Sequence, residues 1–123
     1  MAVVRLTTEA KEDLRDLDGS AQRIVAKALK KLENEPEKRG EPLGSTPTGN
    51  LSTFRKLVVG PKQYRIVYRV EPDGSVCVVW VIAERVNSVV YDLAVSRLQL
   101  YSSRTDLADE LKRIIDTARK LGE

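Results

Sequence analysis

The chain has 123 residues, with 21 Lys+Arg against 18 Asp+Glu, one cysteine and no histidine. That length suits one domain with a modest core. The missing histidine excludes a Ser-His-Asp or Cys-His site, and with the single Cys77 it also excludes the usual zinc ligand sets and any intrachain disulfide.

The net charge of +3 is unevenly placed: residues 1–50 carry 9 basic and 9 acidic side chains, residues 98–123 carry 5 and 5, and residues 51–97 carry 7 against 4. The excess therefore sits in the middle segment, and a polyanionic partner is the natural inference. No apolar run approaches the ~18–20 residues of a membrane span. Residues 1–12 lack the apolar core of a signal peptide. A cytoplasmic protein is expected.

Ala2 to Leu6 reads as a short strand. Thr7 or Thr8 can cap a helix whose stripe is Ala10, Leu14 and Leu17, with Glu9 in its first turn. Asp18-Gly19 breaks that helix, and Ser20 starts a second one. Ile24, Val25, Ala28, Leu29 and Leu32 form its apolar face, and Lys27, Lys30 and Lys31 lie mostly on a solvated face. Pro36 stops it. Residues 37–52, with three glycines and two prolines, read as a long loop without periodicity.

From Thr53 the pattern becomes β. Thr53–Val59 is one strand, Gly60-Pro61-Lys62 a turn, and Gln63–Val70 a second strand. In that second strand Tyr64, Ile66, Tyr68 and Val70 share one face, and Arg65, Val67 and Arg69 the other. Glu71-Pro72-Asp73-Gly74 has hairpin-turn chemistry. Ser75–Ala83 is nearly all apolar, as a central strand covered on both faces would be. Asn87 or Ser88 can cap a short helix to about Leu98. Ser103 to Asp106 fits a capping box before a last amphipathic helix carrying Leu107, Leu111, Ile114, Ile115 and Ala118.

Strand parity supplies one cluster. Simple alternation places Arg85 on the side of Cys77, Val79 and Val81, and hairpin pairing brings Arg65 near residues 79–83. Two guanidiniums would then converge on a phosphate, unless Arg65 pairs with Glu71 or Arg85 with Glu84. Arg55 and Lys56 are adjacent, so only one can join that face. Tyr91 either serves the same edge or packs on Ala94, Val95 and Leu98. Trp80, Tyr64 and Tyr68 read as core, and Cys77 as a small buried hydrophobe.

These strings carry a family resemblance. Arg55-x-x-x-x-Gly60, Tyr64-Arg65-Ile66-Val67-Tyr68-Arg69-Val70, Arg85 and Val90-Tyr91, preceded by Leu6-Thr7-Thr8-Glu9-Ala10, resemble the RelE/ParE toxins of bacterial type II toxin–antitoxin pairs. The likeness covers about residues 2–98. It implies an α+β, β-α-α-β-β-β fold, with an antiparallel sheet on a helical hairpin. C-terminal helices follow, with residues 99–123 as an extension packing on the domain or on a partner.

The RelE-like branch implies a ribosome-dependent mRNA endoribonuclease. The ParE-like branch implies a gyrase inhibitor without nuclease residues. On the RelE pattern, Arg65, Arg85 and Tyr91 take catalytic places and the first lysine place falls on Arg55 or Lys56; Lys56 is expected to be catalytic, and Arg55, Lys62 and Arg69 to bind RNA. Tyr91 stands six residues after Arg85, at the family spacing. A second lysine of the pattern falls on Leu57 or Val58, a departure. The implied chemistry drives the RNA 2′-OH onto its own phosphate, without metal or other cofactor. The implied partners are a cognate antitoxin, the ribosome and mRNA, with no membrane.

Overall fold

A computed structural model describes residues 2–46, 49–60, 64–84 and 87–122, and their side chains except at 44–46, 49–52, 87–89, 91 and 121–122. Strand β1 (Val3–Leu6) leads into helix α1 (Thr8–Arg15), capped as expected by the Thr7 hydroxyl, which accepts the Ala10 N–H at 3.2 Å. Helix α2 (Gly19–Lys31) is capped by Asp18 rather than Ser20. The Asp18 carboxylate accepts the Ala21 N–H at 2.9 Å and the Ser20 hydroxyl at 3.0 Å. A carboxylate outcompetes the hydroxyl here because its charge also meets the positive end of the helix dipole. The same bonds, that from Ala21 first, hold the Asp18 pKa below its ordinary value.

After a 3-10 turn at Pro36–Lys38 come β2 (Glu41–Thr46), β3 (Gly49–Val59), β4 (Tyr64–Val70) and β5 (Val76–Glu84). The sheet order is β1-β5-β4-β3-β2; β1 runs parallel to β5 and the other neighbours are antiparallel. The segment expected as a loop over 37–52 thus holds an edge strand and the start of β3. Its Pro42 and Gly44 flank a register shift against β3. Proline is tolerated on an edge, where its missing N–H breaks no ladder, so edge placement concealed the strand from its composition. Gly40 opens this turn at φ +62°, and a Cβ there would lie 2.4 Å from the Lys56 carbonyl oxygen. Only glycine fits that approach.

Helix α3 (Asn87–Ser103) runs past the expected stop at Leu98, and α4 (Thr105–Gly122) follows after a single residue. The Ser103 capping box does not form. Ser103 belongs to α3 and its hydroxyl donates to the Leu100 carbonyl at 3.4 Å. The Arg104 N–H takes the same carbonyl at 3.1 Å, and the Ala108 N–H bonds to the Arg104 carbonyl at 2.9 Å. Helical i→i−4 bonding thus carries α3 through Ser103 to Arg104, which keeps Ser103 inside a helix rather than ahead of one.

Two cores lie on opposite faces of the sheet, giving three layers. Val25, Ala28 and Leu32 of α2, with Ala10 of α1, pack on Tyr64, Ile66, Tyr68, Cys77 and Val79. Ala94, Val95, Tyr101 and Ala118 of α3 and α4 pack on Phe54, Val67, Val78, Trp80 and Val81. Trp80 is the keystone of the second core, meeting Phe54 edge-on at 5.6 Å and Tyr101 at 5.2 Å between ring centroids. This matches the expected α+β arrangement.

Cys77 is fully buried, and burial alone pushes its thiol up to about 12. The thiolate is the reactive form. Iodoacetamide at pH 8 should therefore leave Cys77 unlabelled in the folded chain and alkylate it within minutes in 6 M guanidinium, as read by intact-mass spectrometry. Rapid labelling of the native chain would mean that this core opens.

Candidate functional site

Strands β3 and β4 pair with Phe54 opposite Arg69, Lys56 opposite Val67 and Val58 opposite Arg65. Side chains alternate across a strand, so Phe54, Lys56 and Val58 share one face with Arg65, Val67 and Arg69. Phe54 and Val67 identify it as the α3/α4 face. Lys56 sits diagonally beside Arg65, a separation of roughly 7–8 Å for such neighbours. Both are half-buried. The choice left open between Arg55 and Lys56 is decided by this register: Lys56 is on the arginine face.

Arg55 faces the other way and is occupied. Its Nε donates to the Arg39 carbonyl at 2.6 Å and its Nη2 to the Gly40 carbonyl at 3.1 Å. Tyr68, opposite it in register, brings its hydroxyl within 2.8 Å of the Pro36 carbonyl and 2.6 Å of the Arg39 carbonyl. Burial pushes the Tyr68 phenol up to about 12, with the Arg55 guanidinium pulling weakly the other way. Together these two side chains hold the 36–40 segment against the sheet. Arg55→Ala should lower stability by about 1.5–3 kcal/mol, the range for hydrogen bonds involving a charged group. Urea unfolding would measure it, and an unchanged midpoint would remove this role.

Arg69 lies on the Arg65 face but at the far end of β4. Its guanidinium stands 5.9 Å from the Phe54 ring centroid, and its Nε is 4.0 Å from Glu71. Glu71 is thus the neighbour of Arg69, whereas Arg65 lies at the opposite end of β4, paired with Ala83 as the hairpin arithmetic expected.

The simple alternation of β5 does not hold. Val67 pairs with Val81 and Tyr68 with Val79, so Trp80 is the extra residue of a β-bulge. Cys77 and Val79 face α1 and α2, whereas Val81 faces α3 and α4. The expected set Cys77, Val79 and Val81 is therefore split, and its last member joins the face of Arg65. A bulge adds one residue and inverts parity beyond it, which no apolar run reveals. Arg85 and Lys62 lie outside the described residues. Tyr91 is on α3 near its start, and its side chain is outside them as well. Val90, Ala94 and Val95 beside it are buried against the sheet.

One pair was not foreseen. Arg97 Nη1 of α3 meets Asp13 Oδ2 of α1 at 2.7 Å, and Nη2 meets Oδ1 at 3.0 Å. The Arg97 Nη1 also donates to the Trp80 carbonyl at 2.9 Å, and Asp13 accepts the Ile82 N–H at 3.0 Å. Strand β1 pairs β5 only as far as Leu6 opposite Val79, so this ion pair serves the backbone of β5 beyond that end. A bidentate arginine–carboxylate pair was one of many combinations the sequence allows, and only the fold selects it.

Among the described residues no group of three or more His, Cys, Asp or Glu gathers as a metal site. None of the described helices is long and apolar enough to cross a membrane.

Comparison with known proteins gives this geometry its context. A family model for the ParE toxin of type II toxin–antitoxin systems matches residues 4–87, about two thirds of the chain. No curated protein sequence matches it. The toxin–antitoxin complex RelBE2 from Mycobacterium tuberculosis contains a similar structure, with 27% identity, a TM-score of 0.59, and coverage of 68% of this chain and 98% of that one. The isolated E. coli RelE toxin is similar in fold at 22% identity and a TM-score of 0.58, covering 80% of this chain and 99% of that one. The chromosomal ParDE toxin–antitoxin system of P. aeruginosa contributes another, at 18% identity and a TM-score of 0.53, covering 68% and 96%. With two thirds of its length under the family model, the chain belongs to the ParE toxin family of type II toxin–antitoxin systems, within the RelE/ParE superfamily.

Proposed function

We propose that this toxin cleaves translated mRNA on the ribosome. The observation that carries the reading is the placement of Lys56 diagonally beside Arg65 on one sheet face. Arg85 and Tyr91 follow β5 in the sequence at the spacing of the RelE pattern. In-line attack of an RNA 2′-OH on its own phosphate forms the 2′-O–P bond and breaks the bond to the 5′-oxygen. The products are a 2′,3′-cyclic phosphate and a 5′-OH. The step needs stabilisation of the phosphorane charge, removal of the 2′ proton and delivery of a proton to the leaving oxygen. Arg65 and Arg85 supply charge. Arginine keeps its proton, so Lys56, Tyr91 and groups of the ribosome are left for proton movement. Arg69 and Lys62 would contact the RNA backbone; Arg55 has its bonds committed to Arg39 and Gly40. A cognate antitoxin would hold the toxin inactive, as the similar complex from M. tuberculosis suggests.

A second reading has its own support. The matching family model is that of ParE toxins, and the position expected for a second lysine holds Leu57 or Val58. Inhibition of DNA gyrase without catalysis would fit both facts. The two are separated by incubating the purified chain with ribosomes and a defined mRNA, with primer extension as readout, and with gyrase in a supercoiling assay. Cleavage confined to the ribosomal reaction is expected. Blocked supercoiling with intact mRNA would overturn the nuclease reading in favour of the second.

A further inference from the structure

Strand β1 leaves β5 at Val79, where the Thr7 N–H bonds to the Val79 carbonyl at 3.1 Å. From Val81 to Glu84, β5 stays paired with β4 on its inner side. Among the described residues no strand flanks it there on the outer side. The Asp13–Arg97 pair occupies that edge instead. Asp13 Oδ2 accepts the Ile82 N–H at 3.0 Å, and Arg97 Nη1 donates to the Trp80 carbonyl at 2.9 Å. The same Oδ2 also accepts a bond from Arg97 Nη1 at 2.7 Å. One carboxylate oxygen thus joins two points of the chain, Ile82 in β5 and Arg97 in α3. The stretch between them, residues 82–97, carries Arg85 and Tyr91. Its second residue, Ala83, is the register partner of Arg65.

We propose that Asp13 is a positioning residue for the cleavage: with Arg97 it pins both ends of residues 82–97 and so fixes Arg65, Arg85 and Tyr91 relative to one another. The inference rests on the reading of these three residues as the nuclease groups. Water on this edge would satisfy the Ile82 N–H and the Trp80 carbonyl but would tie them to nothing. A bidentate arginine–carboxylate pair sets the mutual orientation of its partners as well as their distance. The two side chains are only partly exposed, so the pair is weakly screened. Pinning the ends removes freedom that a stretch of this length otherwise keeps. In-line attack is sensitive to such freedom, since a displacement of about 1 Å that originates far from the reacting atoms can cost about 100-fold. A second contact between the same helices serves as the comparison. The Tyr101 hydroxyl of α3 donates to Glu9 Oε1 of α1 at 2.7 Å, a bond that joins the helices without engaging β5.

The test uses the full chain on ribosomes programmed with one mRNA, at a temperature where circular dichroism shows every variant folded. Asp13→Ala should lower the saturating cleavage rate about 100-fold and leave the half-saturating ribosome concentration within about twofold of wild type. Asp13→Asn keeps an oxygen that accepts the Ile82 N–H, and it should recover about tenfold of the lost rate. Tyr101→Phe should lower Tm and leave the rate unchanged. An undiminished rate in Asp13→Ala, or an equal loss in Tyr101→Phe, would overturn the proposal. Absence of cleavage by the wild-type chain would remove the nuclease reading, and amide NMR spectra then decide the pin by themselves. In Asp13→Ala the amide resonances of Arg65 and of residues 90–93, beyond the bonded atoms, should shift or broaden. Those of β2, at the far edge of the sheet, should hold their positions. Unmoved resonances at Arg65 and 90–93 would overturn the pin, as would changes spread evenly to β2.

Discussion

Arg65→Ala should reduce ribosome-dependent mRNA cleavage by about 100- to 1000-fold, the usual loss when one preorganised donor to a developing oxyanion is removed. Arg65 is half-buried in a central strand whose other residues are fixed by pairing on both sides. That pairing fixes the backbone from which its guanidinium reaches the sheet face shared with Lys56. Lys56→Ala should cost a similar factor if the ammonium moves a proton. Lys56→Arg, which keeps the charge and cannot give up its proton, should then fail to restore the rate. Restoration by Lys56→Arg would show that charge alone is used. Arg55→Ala, one position away on the other face, should lose stability rather than rate. Single-turnover cleavage with ribosomes programmed with one mRNA measures all four variants on the same scale. Equal activity in Arg65→Ala and wild type would remove Arg65 from the reaction.

Loss of the Asp13–Arg97 pair should destabilise the fold more than Arg55→Ala does. The side chains are only 18% and 15% exposed. Removing one partner leaves the other charge partly buried, which costs about 3–5 kcal/mol for well-buried pairs. Partial exposure places the expected cost for Asp13→Ala nearer about 3 kcal/mol. The Ile82 N–H loses its acceptor in the same step. For a domain of this size that corresponds to a fall in Tm of roughly 10 °C. Arg97→Ala should cost a similar amount by freeing the Trp80 carbonyl as well. The double variant should be much less than additive, because each single change already strands the other group. Additive losses in thermal unfolding would mean that the two residues act independently.

That pair also shows where the sequence stopped being legible. Thr7 as a cap, the stripe of α2, the turn at Glu71-Pro72-Asp73-Gly74 and the alternation of β4 are local matters of spacing and side-chain chemistry. They could be read from neighbouring residues, and the structure agrees at the Thr7 cap, at the buried Val25, Ala28 and Leu32 of the α2 stripe and at the two faces of β4, while Ile24 of that stripe stays 36% exposed. Strand β2 could not, since its reason for being a strand is β3, several residues away and across an edge that tolerates Pro42. The Ser103 signal lost to the extension of α3, whose bond from the Arg104 N–H to the Leu100 carbonyl keeps Ser103 within that helix.

The candidate site divides along the same line. Composition alone dictated that any chemistry here must proceed without histidine and without a thiolate pair, and the order of the charges put all the excess positive charge in residues 51–97. Local pattern placed Arg65 and Arg69 on one strand face. The tertiary structure decided which cations share that face, because register is a relation between strands. It set Lys56 beside Arg65 and turned Arg55 inward to the carbonyls of Arg39 and Gly40. It also inverted the parity of β5 at Trp80, since a bulge depends on what the neighbouring strand pairs with and not on the apolar residues that form it.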